Sequence, residues 1–202
     1  WCDDVSSLHY NKYINIKNIS FHIIQTNDSW IRDYGPNFIV RNTATGRQLA
    51  INRWLFNSWG KKYPWRKDQN ANIQIINEMN YPWFNPGVVL EGGAIDVNGK
   101  GVCLTTTSCL LNKNRNNSLK INDVEDYLKN FLGVKIIIWL DGSLEGDDTN
   151  GHIDNLARFV NTKTIVYTTD PNKNGANYKN LKLIPKALKE AKNLDGKPFN
   201  II

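Results

Sequence analysis

A repeated α/β fold, with strand–strand–helix units set radially about one site, is predicted by two observations on this 202-residue sequence. The order strand, strand, helix can be read three times along the chain. Asp33, Glu91 and His152 each stand beside the first strand of a unit, 58 and 61 residues apart. A fixed period of supersecondary units marks a radial or solenoid architecture. In a radial arrangement equivalent positions converge, so Asp33, Glu91, His152 and Asp154 are expected in one cleft. A layered α/β sheet, with the spacing a coincidence, is the alternative.

Asn18 to Gln25 reads as a short strand carrying apolar Phe21, Ile23 and Ile24. Thr26 to Pro36 follows, closed by Gly35–Pro36. Asn37 to Arg41 and Arg47 to Phe56 are two strands joined by a turn near Thr45–Gly46. Asp68 to Met79 is a helix with Asp68 as its N-cap and Ile73 and Ile76 on one face. Pro82, Pro86 and Gly87 break the chain before Val88–Val89–Leu90.

The second unit starts at Glu91–Gly92–Gly93, with strands at Ala94 to Val97 and Gly101 to Thr106 about the hairpin signal Asn98–Gly99. Its helix runs Asn122 to Leu132, with Asn122 as cap, Glu125 three residues on and Gly133 just past the end. Val124, Tyr127, Leu128 and Phe131 form its buried stripe. Val134 to Trp139 is a buried strand. The third unit has strands at His152 to Val160 and Thr164 to Thr168, and a helix within Tyr178 to Leu194 that Pro185 bends or divides.

Composition sets outer limits. At 41% hydrophobic and 22% charged, this is a globular chain, and its sequence has no apolar run of membrane-spanning length. Cys2, Cys103 and Cys109 make neither a CxxC pair nor an even disulfide set, so reduced thiols in a cytoplasmic protein are the simplest reading. The chain starts at Trp1 with nothing like a signal peptide, and a missing native N-terminus leaves export open. A net charge of +6, with lysines crowded late in the chain, is more often a solvated surface than a nucleic-acid site.

The chemistry gathers in Gly146 to Val160, GDDTNGHIDNLARFV. On a strand starting at His152, a period of two puts His152 and Asp154 on one face. An imidazole beside a carboxylate can move a proton and hold a cation. A lone HxD is more often the polar start of a surface strand. Acids in the same context at Asp33 and Glu91 weigh against that.

TNDSWIRDYGPNF, FNSWGKKYPW, LEGGAIDVNGKGVCLTTTSCLLNKNRN and GDDTNGHIDNLARFV closely resemble motifs of the agmatine deiminase family, which includes the bacterial peptidyl-arginine deiminases. The resemblance runs over nearly the whole chain. It implies a pentein α/β-propeller of pseudo-symmetric ββαβ modules, with about three of the five blades supplied by residues 1–202. It implies hydrolysis of a guanidinium group, most simply agmatine to N-carbamoylputrescine and ammonia in putrescine biosynthesis. Arginine or peptidyl-arginine is the alternative substrate. From another class, a non-catalytic guanidinium-binding module is the rival.

By the resemblance, Asp33 and Asp154 would grip the guanidinium, since paired carboxylates match its forked donors and its charge. His152 would be the general acid for leaving ammonia and then the base that activates water. Glu91 would hydrogen-bond His152 and favour its protonated form. Gly92 and Gly93 would let backbone approach closely. Trp30 and Asp148 would help to hold the substrate. The implied cofactors are none, and no clustered metal-ligand set is read. The partner is a small cationic guanidinium compound, with a homo-oligomer left open.

The family's nucleophilic cysteine follows a Gly-rich stretch near the C-terminus, and this sequence reaches Ile202 before any such motif. The chain is therefore expected to be part of one catalytic domain, lacking the N-terminal blade region and the segment with the nucleophile. Cys103 and Cys109 are expected to stay out of reach of His152. Arg53 to Lys67 interleaves aromatics with cations, as a single-strand nucleic-acid surface does. An aromatic loop packed on the core is the stronger reading, and FNSWGKKY also fits the family pattern. Lys179 to Lys192 is better read as an outer helix packed on its blade than as a membrane helix.

Overall fold

The computed structural model describes residues 22–202. They form three small sheets, each built from a ββαβ unit. The first holds β1 (Asn37–Thr43), β2 (Gly46–Asn52) and β3 (Trp83–Phe84). β1 and β2 are an antiparallel hairpin, and β3 joins β2 in parallel after a helical crossover. The second sheet repeats this with β4 (Asp96–Val97), β5 (Val102–Thr106) and β6 (Ile136–Leu140). The third repeats it with β7 (Ala157–Asn161), β8 (Thr164–Tyr167) and β9 (Asn200–Ile201). A parallel partner cannot be reached by a tight turn, so each unit needs its crossover.

The helices in chain order are α1 (Ile31–Tyr34), α2 (Ser58–Lys61), α3 (Arg66–Met79), α4 (Thr107–Leu110), α5 (Lys113–Asn116), α6 (Ile121–Leu132), α7 (Tyr178–Leu181) and α8 (Ile184–Glu190). Apolar stripes on α6 and α8 set the relation between sheets. Val124 and Leu128 of α6 pack with Trp54, Val88 and Leu90 from the first unit and with Cys103 and Val134 from the second. Ile184 and Leu188 of α8 pack with Leu104, Ile138 and Leu140 from the second unit and with Ala157, Ile165 and Phe199 from the third. Each of these helices is thus wedged between its own sheet and the preceding one. Each fully buried aliphatic side chain there contributes about 1.5–3 kcal/mol by leaving water. The Asn52 side-chain amide adds a polar tie, donating to the Phe131 carbonyl at 2.6 Å.

Several element boundaries differ from the sequence reading, each for a local reason. Residues 18–21 of the first expected strand lie outside the described residues, and His22 to Gln25 are not a strand. β2 ends at Asn52, because Leu55 leaves the sheet to bridge Val89. α3 starts two residues before Asp68. Instead of capping, the Asp68 carboxylate accepts the Asn27 and Asp28 amides at 2.5 and 3.1 Å, tying the segment before α1 to α3.

α6 starts at Ile121, and Asp123, not Glu125, reaches back to accept the Lys120 amide at 2.8 Å. Glu125 accepts from Lys129 Nζ and Trp139 Nε1. Gly133 takes the left-handed conformation that ends this helix, as the sequence predicts. Pro185 divides the last helical segment, sitting in the first turn of α8, where its missing N–H costs nothing. Among the described residues no helix is long and apolar enough to cross a membrane.

Candidate active site

Three short turns meet where the first strands of the units begin: α1, the 3₁₀ turn Gly92–Ala94 and the 3₁₀ turn Ile153–Asn155. α1 carries Asp33, which is buried and doubly held. Its Oδ1 accepts the Gly93 amide and its Oδ2 accepts Trp59 Nε1, each at 2.9 Å. Burial raises the Asp33 carboxyl above the ordinary carboxylate range, and the two donors only partly offset it.

Gly93 is the meeting point. A Cβ there would lie 2.5 Å from His152 Nδ1 and 2.8 Å from both Asp154 Oδ2 and Asp33 Oδ1. A Cβ at Gly92 would strike the Arg32 carbonyl at 2.0 Å. Both positions exclude side chains because the three functional groups and α1 close over this turn.

The expected strand from His152 is not formed. His152 precedes the 3₁₀ turn, and β7 starts only at Ala157. His152 and Asp154 share a site through the tight turn, not through strand alternation. The preceding loop is ordered by Asp147, whose carboxylate accepts the amides of Thr149 and Gly151 at 2.8 Å each. Thr149 Oγ1 in turn accepts the His152 amide at 3.0 Å.

His152 is buried, with Nδ1 3.8 Å from Asp33 Oδ1 and Nε2 4.0 Å from Glu91 Oε2. Desolvation pushes its pKa down to about 4, and the neighbouring Asp154 charge opposes this without overcoming it. The imidazole is therefore neutral near pH 7. Asp154 is itself raised, first by burial.

The expected hydrogen bond from Glu91 to His152 is absent at 4.0 Å, and His152 is not held protonated. Glu91 is fully buried, and its Oε1 instead accepts Arg115 Nε at 3.1 Å. Burial raises the Glu91 carboxyl, with the Arg115 charge working against it. Glu91 Oε2 and His152 Nε2 face each other as two buried polar atoms without hydrogen-bond partners.

A cleft of about 580 Å³ opens above this floor, lined by Asp28, Trp30, Asp33, Trp59, Asp148, His152 and Asp154 among others. That volume suits a small ligand. Of the expected residues, Asp33, His152 and Asp154 line the cleft, while Glu91 lies beneath it. Trp30, 55% exposed, and Asp148 stand at the rim. Tyr63 Oη donates to Asp148 Oδ2 at 2.7 Å, and Lys62 Nζ donates to the Asp148 carbonyl.

The thiols need one correction. Cys109 does approach His152: their ligand atoms and that of Glu91 lie within 4.8 Å of one another. It does so from the core side, with no exposed surface, and burial pushes its thiol up. Cys103 lies within β5, where burial raises it to about 12. Neither lines the cleft. The Arg115 guanidinium against Glu91 also opposes a divalent cation among Glu91, Cys109 and His152, by like-charge repulsion. Cys2 lies outside the described residues.

Sequence reasoning gave no site role to Trp59, Tyr63 or Arg115. Trp59 holds Asp33 from the single turn α2, which is left-handed: Ser58, Trp59, Gly60 and Lys61 all have positive φ, a strained backbone kept by its contacts. That strain has no periodic signature. Arg115 sits on the single-turn α5 and meets Glu91 only through the fold. The one available signal was membership of both residues in the family-like motifs FNSWGKKY and NKNRN.

The sequence pattern of the family described as Porphyromonas-type peptidyl-arginine deiminase matches residues 2–202. The agmatine deiminase of Medicago truncatula is 38% identical over 190 residues, covering 89% of this chain and 51% of that protein. A solved C. jejuni agmatine deiminase, with substrate bound, superposes with a TM-score of 0.83 at 37% identity, over 96% of this chain and 56% of that one. The Enterococcus faecalis agmatine deiminase superposes at 0.82 and 28% identity, over 88% and 50%. The described residues thus build ββαβ blades of a pentein-type α/β propeller. The chain belongs to the Porphyromonas-type peptidyl-arginine deiminase family. It spans about half the length of the relatives it matches.

Proposed function

We propose that this chain forms the acid- and histidine-bearing part of a guanidine deiminase that converts agmatine to N-carbamoylputrescine and ammonia. The observation that carries the reading is the meeting of Asp33, Asp154 and His152 at Gly93, on the floor of a cleft. Two carboxylates strained by burial gain most from a ligand that is a cation with forked donors. A guanidinium is such a ligand. The names of the agmatine deiminase relatives support the substrate, and the rim carboxylate Asp148 supports a substrate whose far end is an amine.

The chemistry follows from a neutral His152. It accepts the proton of an attacking thiol while sulfur bonds to the guanidinium carbon. It then gives that proton to the departing nitrogen as the carbon–nitrogen bond breaks and ammonia leaves. Water next attacks the carbon and gives one proton to His152. The carbon–sulfur bond then breaks while the new hydroxyl gives its proton by way of solvent to the released ammonia, leaving the ureido product, and His152 returns its proton to the departing thiolate. Overall, guanidinium and water become ureido compound and ammonium. The thiol is supplied by a segment outside these residues, since Cys103 and Cys109 are buried away from the cleft. These residues are then part of one catalytic domain, working in the cytoplasm.

Ammonia release by the full-length gene product, with agmatine, arginine and an arginyl peptide side by side, tests this. Agmatine should be the best substrate. Preference for arginine or the peptide would overturn the substrate, and silence with all three would overturn the reaction.

A further inference from the structure

We propose that Arg115 is a positioning residue, which fixes the gap between Glu91 and His152 and thereby sets the acidity of the proton-transferring imidazole. The inference rests on the deiminase reading only for the reaction that His152 serves.

The geometry is that of a buried hub. Arg115 Nε donates to Glu91 Oε1 at 3.1 Å, and neither side chain has exposed surface. Nη2 donates to the Thr149 carbonyl at 2.6 Å, and Nη1 donates to Asn150 Oδ1 at 2.5 Å and Asn114 Oδ1 at 2.8 Å. One planar guanidinium therefore ties the Glu91 turn to the loop that ends in His152. Asn114 extends the hub: its amide donates to Asn150 Oδ1 at 3.0 Å, and its carbonyl accepts Asn57 Nδ2 at 2.9 Å. Asn57 leads into the loop whose Trp59 holds Asp33. Three segments that share no sequence are thus fastened through α5.

Such a fork does two things that a point charge cannot. It places a cation against one Glu91 oxygen, which opposes the rise that burial imposes on this carboxyl and leaves less of its charge for His152. It also holds the Thr149 carbonyl and the Asn150 side chain, so the imidazole cannot drop onto the free Glu91 Oε2. Without it, Glu91 and His152 would close on each other and share a proton. The other charged or titratable groups around the ring are Asp33 from α1, Asp154 from the 3₁₀ turn, Asp147 from its own loop, Arg32, and Cys109 from α4. Apart from Arg32, all of these are acids, so removal of Arg115 favours the protonated ring.

The experiment uses the full-length protein and two readouts. One is the titration of the His152 Cε1–H resonance, assigned by its loss in His152→Asn. The other is the pH profile of agmatine turnover. In Arg115→Gln, the His152–Glu91 pair should take up its proton at higher pH than in wild type, and kcat should fall about 10- to 100-fold with little change in KM, the range for an orienting residue that does not touch substrate. Arg115→Lys, which keeps the charge without the fork, should recover part of kcat. Should Arg115→Gln not fold, Glu91→Gln/Arg115→Met, with no buried charge left uncompensated, should fold and show the same loss of kcat.

A folded Arg115→Gln with the wild-type titration overturns the proposal, whether or not kcat falls, because a merely structural role would not move the imidazole. Wild-type kcat in Arg115→Gln overturns it as well. The titration needs no substrate, so a wild-type protein inactive on guanidinium compounds but showing the shift would sink the deiminase reading and leave the positioning role standing.

Discussion

The floor and the rim of the cleft hold the same kinds of groups under opposite conditions. On the floor, Asp33, Glu91 and His152 are buried, and their protonation is displaced by desolvation. At the rim, Asp148, Tyr63 and Trp30 are exposed, and Tyr63 holds Asp148 through a hydrogen bond that water can replace. The same carboxylate–donor contact is thus structural on the floor and adjustable at the rim. Charge in a dry site must be matched by fixed partners, whereas charge in water is screened within about 8–10 Å. Floor substitutions should therefore cost catalysis steeply, and rim substitutions should tune affinity.

The steepest case is His152→Asn. Asparagine keeps bulk and polarity but transfers no proton near neutral pH, so kcat should fall about 10²–10⁴-fold, the usual worth of a general acid–base group. Ammonia release by a folded variant checks this. A loss under tenfold would mean that proton transfer lies elsewhere, and the floor would then be no more than a binding surface.

Gly93→Ala comes next. Its Cβ would contact His152 Nδ1, Asp154 Oδ2 and Asp33 Oδ1 at under 3 Å, so all three must move. Misplacement of about 1 Å costs about 10²-fold. The expected outcome is that loss in kcat/KM for agmatine, from a protein whose circular dichroism is unchanged. Full activity would show that the three groups do not close on Gly93 during turnover.

The unequal legibility of floor and rim has the same physical root. Asp33, Glu91, His152 and Asp154 could be read from the sequence because each precedes the first strand of a repeated unit, and a repeat carries position as well as pattern. The hairpin β1–β2, the stripe on α6 and the stop at Gly133 were legible for a similar reason: each is encoded within a few neighbours. Trp59 and Arg115 were not. Their hydrogen bonds span 26 and 24 residues, from single-turn elements with no period to read. His152 and Asp154 share the site through a 3₁₀ turn that replaces the strand expected from a period of two. The expected pairing of Glu91 with His152 failed because Arg115 competes for the same carboxylate.

Stability should also separate floor from rim. His152 titrates at about 4 in the folded chain against an ordinary 6.5. Between those values the unfolded chain binds the extra proton, so stability falls as pH falls from 6.5 toward 4. Asp33, Glu91 and Asp154 act in the opposite sense. Held above their ordinary values by burial, they protonate first in the folded chain and add stability as pH falls through those values. Urea unfolding at pH 6.5 and 4.5 isolates the histidine: wild type should lose on the order of 2 kcal/mol more than His152→Asn over that interval. Equal losses would mean that water reaches the imidazole and the floor is not dry.

The smallest effects belong to the rim. Tyr63→Phe removes one hydrogen bond to Asp148 and leaves the ring in place. Water can take over that bond, so KM for agmatine should change by less than about threefold, with kcat unaltered. Asp148→Asn should act more strongly, because it removes a negative charge from the rim, where the proposed function puts the far end of the substrate. An amine there is attracted by Asp148, while the α-carboxylate of arginine is repelled. The substitution should therefore raise KM for agmatine and lower it for arginine, shrinking the preference by about tenfold without changing the order. Ratios of kcat/KM for the two substrates, at low and high salt, read this directly. Added salt should narrow the preference of the wild type more than that of Asp148→Asn, since the wild type has one more rim charge to screen. A Tyr63→Phe variant as impaired as His152→Asn would make the rim part of the floor.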